Sequence, residues 1–444
     1  MFYRILCAVL LFGPVSLAAA QSRYTLEDCL RIARAQNPDV LIAAKQIDVA
    51  RGNLLTARSG NLPTLRTDGY FQERQQSLAT SGGINNNRPQ DYVLTAGLTQ
   101  NVYASGAVMG RIAIAKLGEL IATKNYQAAV DTMTLNVKLA FYRVLFAEAS
   151  VKVRRESVKF LDSQVREQQE KLRAGTVGSL NVTRAQVTVA NEKPLLYQAE
   201  ADLATSYLQL AQVMGVALGP GKRQPDFIVL GSLVHVQRRY SLAECLARAL
   251  ANRPEIEARR LEVQSLENQV TVEKASTRPQ VNAFGAYQLF SEPNPALSPS
   301  YFSGFTVGLN FSWTLFDGLA TPGRVHAVTA RISAARQALR ATELTVETEV
   351  RSALESLRQA EETIRSQEEN SALALESLAL ATGNFNAGLA TQLDLLQGQV
   401  DLTRARLLAA AGRFGYLNAV ARIERAMGSN DQKVVVPEPV ATAR

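Results

Sequence analysis

The heptapeptide YTLEDCL at residues 24–30 returns as YSLAECL at residues 240–246, and the two copies open two similar halves of one chain. Ten of the 49 residues that start at Tyr24 are identical to those found 216 positions later, without a gap. Later matches, Ala174-Gly175 with Ala387-Gly388 among them, extend the similarity along the chain. The sequence therefore predicts two structural repeats with the same order of elements. Their expected bounds are 21–215 and 241–428, with an irregular connector at 216–240 and a C-terminal tail at 429–444.

The composition argues against most catalytic and metal-binding classes. Three cysteines and two histidines among 444 residues are too few for a disulfide scaffold or a Cys/His zinc array. Neither His235 nor His326 lies in an acid, histidine and serine pattern, and no Gly-rich phosphate loop is present, so we predict no enzyme, no cofactor and no metal site. The net charge of +8 is spread along the chain and predicts no nucleic-acid partner.

Residues 1–20 have the pattern of a signal peptide: Arg4 precedes an apolar core, and small residues lead to a cleavage site near Ala20. The alternative is an N-terminal membrane anchor, but the apolar stretch is short and Gly13-Pro14 interrupts it. No later segment approaches the roughly 18 to 20 apolar residues of a spanning helix. If the mature chain enters a membrane, we expect it to do so as strands.

Each half is predicted to begin with a helix, from Leu26 to about Ser59 and from Leu242 to about Thr277, followed by strand hairpins near 64–103 and 280–316. In the second hairpin apolar residues alternate with small or polar ones; the apolar set is Phe305, Val307, Leu309, Phe311 and Trp313. This alternation is typical of a membrane barrel wall, although an antiparallel sheet packed on a core shows it too. Aromatic residues near the strand ends favour the membrane interpretation.

Two very long helical stretches follow the hairpins, from about 107 to 173 and from about 324 to 386. In the first, apolar residues recur every seven positions; they are Val130, Val137, Val144, Val151, Val158, Val165 and Leu172. This period predicts a left-handed coiled coil, and about 1.5 Å per residue gives a helix on the order of 100 Å long. Each helix is predicted to end in a glycine turn, with hairpin tips near 174–180 and 387–393.

In order and doubling, these motifs resemble those of the TolC-like family of outer-membrane efflux and secretion ducts. The similarity includes Val307-Gly308-Leu309 leading into Leu315-Phe316-Asp317-Gly318, and Phe385-Asn386-Ala387-Gly388 followed by Leu393-Asp394-Leu395. The resemblance implies a mainly α fold with a small β part: a long antiparallel coiled-coil α-barrel and four membrane β-strands per chain. A homotrimer would close a 12-stranded β-barrel above a periplasmic tunnel.

The resemblance also implies a location and partners. The protein would lie in the outer membrane, with a large periplasmic portion. It would contact the lipid bilayer, a periplasmic adaptor protein, and an inner-membrane pump or ATP-driven exporter, and would act as a passive exit duct for efflux or type I secretion. The alternative is an outer-membrane structural or adhesive protein that conducts nothing. The sequence leaves the exported substrate and the driving pump open.

Three groups of site residues follow. The resemblance implies a periplasmic gate at Asp394, with Gln397 and Asn181 beside it; a helix cap at Asp394 is the competing interpretation. Adaptor docking is expected at the tips, through Gly175, Val177, Gly178, Leu180, Gly388, Leu389 and Leu393. The apolar strand residues listed above would face the membrane. Finally, Cys29 and Cys245 occupy equivalent places in the two halves, and we predict free, partly buried thiols there.

Overall fold

The computed structural model describes residues 22–73, 90–221, 223–234, 236, 238–291 and 301–428. The predicted signal peptide, His235 and the C-terminal tail lie outside these residues. The elements in chain order are β1 (Ser22–Tyr24), α1 (Leu26–Gln36), α2 (Pro38–Ser59), β2 (Thr64–Glu73), β3 (Gln90–Tyr103), α3 (Ala107–Arg173), α4 (Ser179–Met214), β4 (Phe227–Val229), α5 (Leu242–Asn252), α6 (Pro254–Lys274), β5 (Gln280–Ser291), β6 (Tyr301–Ser312), α7 (Ala320–Asn386) and α8 (Gln392–Ala426).

The described residues form two compact units. The first contains residues from 22–36, 136–236 and 362–418, and the second contains residues from 37–135, 238–361 and 419–428. Each unit therefore combines segments from both predicted repeats. The long helices α3 and α7 contribute residues to both units.

The opening helix of each half is broken, which corrects the prediction of one continuous helix. Asn37 separates α1 from α2, and its Oδ1 accepts hydrogen bonds from the backbone N–H of Asp39 at 2.9 Å and of Val40 at 3.2 Å. Arg253 separates α5 from α6 in the second half. The reason is the proline that follows each of them, because proline disfavours helical geometry in the residue before it and is favoured at the first position of a new helix.

The predicted irregular connector contains one short strand. Residues of β4 pair in parallel with β1, from Ser22 opposite Phe227 to Tyr24 opposite Val229. The rings of Tyr24 and Phe227 lie 5.1 Å apart, and the Tyr207 hydroxyl donates to Glu148 at 2.6 Å. Burial and this carboxylate raise the pKa of Tyr207 above its usual value. The N-terminal end of the described chain is thus fixed to the first unit by a strand too short for its sequence pattern to reveal.

In the second unit, four strands form one antiparallel sheet in the order β2-β3-β5-β6. Thr64 of β2 lies opposite Thr99 of β3, and Leu98 of β3 lies opposite Gly285 of β5. On its other edge, β5 pairs with β6, and Gly285 lies opposite Val307 there. Successive residues of a strand point to opposite faces, so this register assigns every residue to one of two faces. The two predicted hairpins are therefore joined edge to edge through β3 and β5.

The heptad core of α3 follows the sequence as far as Val165, which packs against the buried Leu161 and Val189. Val130, Val137 and Val144 are completely buried. Leu172, by contrast, is exposed next to the end of the helix at Arg173, and the buried residues of the last turns include Gln164 and Gln168. The prediction of an apolar seam extending to Leu172 is thus wrong for the last turns.

Both cysteines of the described chain are free, as predicted, and more deeply buried than expected. Cys29 lies on α1, and burial raises the pKa of its thiol to about 12. Cys245 packs among Ile256, Val350 and Ile423 in the core of the second unit, where burial likewise raises its pKa. Neutral, enclosed thiols of this kind act as small apolar side chains.

Candidate functional sites at the hairpin tips and on the sheet

Each long helix reverses through a glycine in the left-handed backbone region. Gly175 has φ +72°, and Gly388 has φ +75°. After each glycine one backbone N–H reaches back to the helix: Thr176 N donates to Lys171 O at 2.9 Å, and Leu389 N donates to Asn384 O at 2.8 Å. These bonds satisfy carbonyls that the helix end leaves without partners. Since no atom would obstruct a Cβ at either glycine, the backbone angle alone requires glycine there.

Gly178, one of the residues expected at the docking surface, does not form the turn of the first tip. Its φ is −83°, in the extended region open to any residue, and it precedes α4 without a side-chain cap. The sharp reversal of the first tip therefore depends on Gly175 and not on Gly178. Around these turns, the apolar side chains expected to dock an adaptor are largely accessible: Leu389 is 81% exposed, Leu393 60% and Leu180 58%, whereas Val177 is half-buried.

Asp394 closes a capping box at the start of α8. Its Oδ2 accepts hydrogen bonds from Thr391 N at 2.8 Å and from Thr391 Oγ1 at 2.7 Å, and its own N–H donates to Thr391 Oγ1 at 3.3 Å. The hydroxyl bond is the main cause that lowers the pKa of Asp394 below its usual value. Thr25 and Asp28 form the same arrangement at the start of α1. In one copy of the chain, Asp394 thus performs the capping role that competed with the gate interpretation.

The other two predicted gate residues lie nearby but make their hydrogen bonds elsewhere. Gln397 is exposed one turn beyond Asp394, and its Nε2 donates to Asp401 at 3.0 Å. The backbone carbonyl of Asn181 accepts from Gln392 Nε2 at 3.1 Å, which joins the start of α4 to the start of α8. The structure therefore brings the starts of both returning helices together, and it places Asp394 and Gln397 on the exposed side of α8.

The sequence pattern does not predict the polar residues that lie close to the tips. Gln168 is completely buried, and within the described part of the chain neither its Nε2 nor its Oε1 has a hydrogen-bond partner. The ammonium of Lys171 lies 4.9 Å from the ring centroid of Phe385, a cation–π contact between the ends of α3 and α7. An unsatisfied buried amide costs about 1–3 kcal/mol. The helix packing near the tips is therefore less stabilising than an apolar seam would be.

The sheet carries the predicted apolar face. Phe305, Val307, Leu309 and Phe311 are 62–81% exposed and share one face of β6. The register adds Tyr287 and Leu98, also accessible, to this face. Trp313 lies one residue past the end of β6, and its Nε1 donates to the carbonyl of Thr277 at 3.1 Å. An extended apolar surface of this kind on a folded unit marks a site of contact with lipid or protein.

The opposite face of the sheet is largely polar. Asn101, Asn282 and Asn310 stand directly beside one another on β3, β5 and β6. On β2, Arg66 and Asp68 form an ion pair at 2.7 Å. The two faces therefore differ as the two sides of a barrel wall differ.

Other kinds of site receive no support from the described residues. In that part of the chain, no group of three His, Cys, Asp or Glu side chains could hold a metal ion. His326 lies in the first two turns of α7. None of the helices described has the length and apolar content needed to cross a membrane.

Comparison with known proteins relates this architecture to one family. Residues 29–216 and 245–429 match the family described as "Outer membrane efflux protein", so one matched segment overlaps each predicted repeat. Among similar proteins, Nodulation protein T of Rhizobium leguminosarum bv. trifolii is 23% identical over 402 residues, which cover 89% of this chain and 84% of the relative. The cobalt-zinc-cadmium resistance protein CzcC of Cupriavidus metallidurans is 22% identical over 395 residues, covering 89% and 87%.

Solved structures share the fold. The CmeC outer membrane channel of Campylobacter jejuni superposes with a TM-score of 0.77 at 16% sequence identity, over 91% of this chain and 85% of the channel. At this low identity, the superposition shows a shared arrangement of helices and strands. The predicted mainly α fold with a small β part is therefore confirmed.

Proposed function

The chain belongs to the outer membrane efflux protein family, and from this premise we propose that three copies form a passive exit duct, closed at its periplasmic end by a gate. Membership makes the chain an outer-membrane transport conduit with a large periplasmic part, and not an enzyme. The observation that carries the proposal is the sheet, which exposes an apolar face on one side and a mainly polar face on the other.

The trimer is argued from the edges of this sheet. Four strands are too few for a barrel, since known barrels have about eight or more. Among the strands that the structure describes in one chain, β2 and β6 each have one unpaired edge. If β6 of one copy pairs with β2 of the next, three copies supply twelve strands, every edge finds a partner, and the apolar face points outward to lipid.

The hairpin tips are the proposed adaptor-docking surface. Leu389 lies in the second turn, and Leu180 and Leu393 lie at the starts of α4 and α8; all three are exposed apolar residues of the first unit, where water would otherwise surround them. Replacing Leu389 with Glu should abolish export while trimers still form, because a charge would be buried in the docked complex. Leu389→Met should retain export, since it keeps the apolar surface. Export by Leu389→Glu at the unaltered rate would count against docking at this tip.

The proposed gate consists of one Asp394 from each copy, flanked by Gln397 and Asn181. Three carboxylates in a narrow opening would attract cations and bind multivalent ones. The capping box does not oppose this role, because it holds the carboxylate in its charged form on an exposed face. Close approach of the copies would raise the pKa that Thr391 lowers in a single chain.

Planar-bilayer recording separates the duct from the structural or adhesive alternative. Purified trimers of a duct carry ions and are blocked from the gate side by multivalent cations. Trimers of a protein that serves only as a rod and anchor give no conductance. Whether the duct serves an efflux pump or a type I secretion system would follow from which inner-membrane transporter co-purifies with it after cross-linking.

A further inference from the structure

One row of the sheet's polar face is apolar. Tyr70 lies opposite Val93, Val93 opposite Phe290, and Phe290 opposite Phe302, so the row crosses all four strands. Every residue in it belongs to the face that carries Arg66, Asp68 and the three asparagines. A chance break in the alternation of polar and apolar residues would affect one strand only. Four adjacent strands place an apolar side chain in the same row of paired residues.

The row lies at the end of the sheet that is far from the helices. Phe290 is the second-last residue of β5, and Phe302 is the second residue of β6. Their ring centroids are 6.2 Å apart with an interplanar angle of 27°, so the rings stack across the two strands. Tyr70 is 50% exposed and Val93 is half-buried.

Phe284 shows that an aromatic residue on this face need not form such a row. It lies opposite Gly308, and a Cβ on that glycine would come within 2.9 Å of the Phe284 ring. The ring therefore lies flat over the glycine, against the sheet. At the level of Phe290 the opposite residue is another ring, and the two rings occupy that level together.

From this row we propose that Tyr70, Val93, Phe290 and Phe302 form an aromatic collar that narrows the outer part of the duct. The inference depends on the proposed function, in which the polar face lines a lumen and three copies contribute twelve such side chains. Because barrel strands are tilted by about 35–45°, the collar consists of three oblique rows, one from each copy. An apolar ring in a pore slows hydrated solutes, because water is held poorly there. The same ring offers stacking and apolar contact to aromatic parts of transported molecules.

Cysteine labelling from the outside tests the collar independently of the periplasmic gate. Thr306 is exposed on the same face, closer to the helices than the collar and farther from them than Phe284. A Thr306→Cys protein in intact cells is treated with a sulfonated, membrane-impermeant maleimide. The native cysteines Cys29 and Cys245 are buried and give little background.

We expect labelling of Thr306→Cys to become about tenfold faster when Phe290→Ser and Phe302→Ser are added, which corresponds to a barrier lowered by about 1.4 kcal/mol. The labelling rate with N-ethylmaleimide, which is apolar, should increase less. Phe284→Ser is the matched control and should leave the rate unchanged, since a reagent from outside reaches Thr306 before it reaches that ring. Enlarging the collar with Val93→Trp should slow labelling, which provides a second variant if the double serine protein yields few trimers.

A Val307→Cys protein distinguishes the failure of the collar from the failure of the duct. Val307 lies on the apolar face, so lipid should protect it from the sulfonated reagent. Equal labelling of Val307→Cys and Thr306→Cys would overturn the barrel itself. The collar alone would be overturned by a different result: Val307→Cys is protected, and the labelling rate of Thr306→Cys is the same with and without the serine or tryptophan substitutions.

Discussion

Replacing Val307 with Arg tests the orientation of the sheet most directly. Val307 is the seventh of the twelve residues of β6. At about 3.3 Å per residue and a tilt of about 40°, the strand spans about 30 Å along the membrane normal, slightly more than the apolar band of about 25 Å. Val307 then lies near the midplane, where an arginine costs about 2–4 kcal/mol, or about 6–12 kcal/mol for three copies.

Two matched variants give this experiment its control. Thr306→Arg introduces the same side chain at the same depth on the polar face, and its cost should be about 0.5 kcal/mol or less per copy. Phe311→Arg lies on the apolar face but about 10 Å nearer the interface, where the arginine cost falls to about 0–1 kcal/mol. The measurement is the free energy of unfolding of the vesicle-reconstituted protein from urea titration. Equal losses for Val307→Arg and Thr306→Arg would refute the assignment of the faces.

Three further predictions concern the helices. Gly388→Ala should destabilise the second tip by about 1 kcal/mol, because φ +75° is strained for alanine. Gly178→Ala should alter thermal stability little. A larger loss of stability for Gly178→Ala than for Gly388→Ala would contradict the turn assignment. Cys29 should resist iodoacetamide at pH 8 until denaturant is added, since burial raises its pKa to about 12, and labelling of native trimers would be inconsistent with this. Thr391→Ala should remove the two hydroxyl bonds of the capping box and leave the backbone N–H bond to Asp394. It should therefore lessen the stability that is present at neutral pH and lost as pH falls through the lowered pKa of Asp394. Multivalent-cation block should be retained in Thr391→Ala and lost in Asp394→Ala.

Local patterns allowed most elements to be predicted. The bounds of α3 agree with its heptads, because a proline-free apolar period and a glycine turn define both the helix and its end. The predicted start of α7, near residue 324, is about four residues late, and it falls just after Pro322-Gly323. Proline in the first turn costs no hydrogen bond, however, and Asp317 Oδ2 accepts from Thr321 N at 2.8 Å, which stabilises the earlier start.

Features that depend on residues distant in sequence could not be predicted. The pairing of β3 with β5 joins strands separated by nearly 180 residues, and neither strand alone specifies its neighbour. The aromatic collar exists only in the register, since Tyr70, Val93, Phe290 and Phe302 have no common spacing in the sequence. The burial of Gln168 also depends on which helices pack beside it, and the heptad pattern favoured the apolar Leu172 instead.

The duplication preserved the backbone more closely than the side chains at helix starts. Asn37 caps α2 with its amide, whereas its counterpart Arg253 is buried and forms an ion pair with Glu349. Asn181 is the third residue of α4, and the equivalent third residue of α8 is Asp394. Three copies would therefore supply six similar hairpins but only three carboxylates at their tips. A duct whose helices approach sixfold symmetry would then have a gate of threefold symmetry, with its negative charge carried by the second repeat alone.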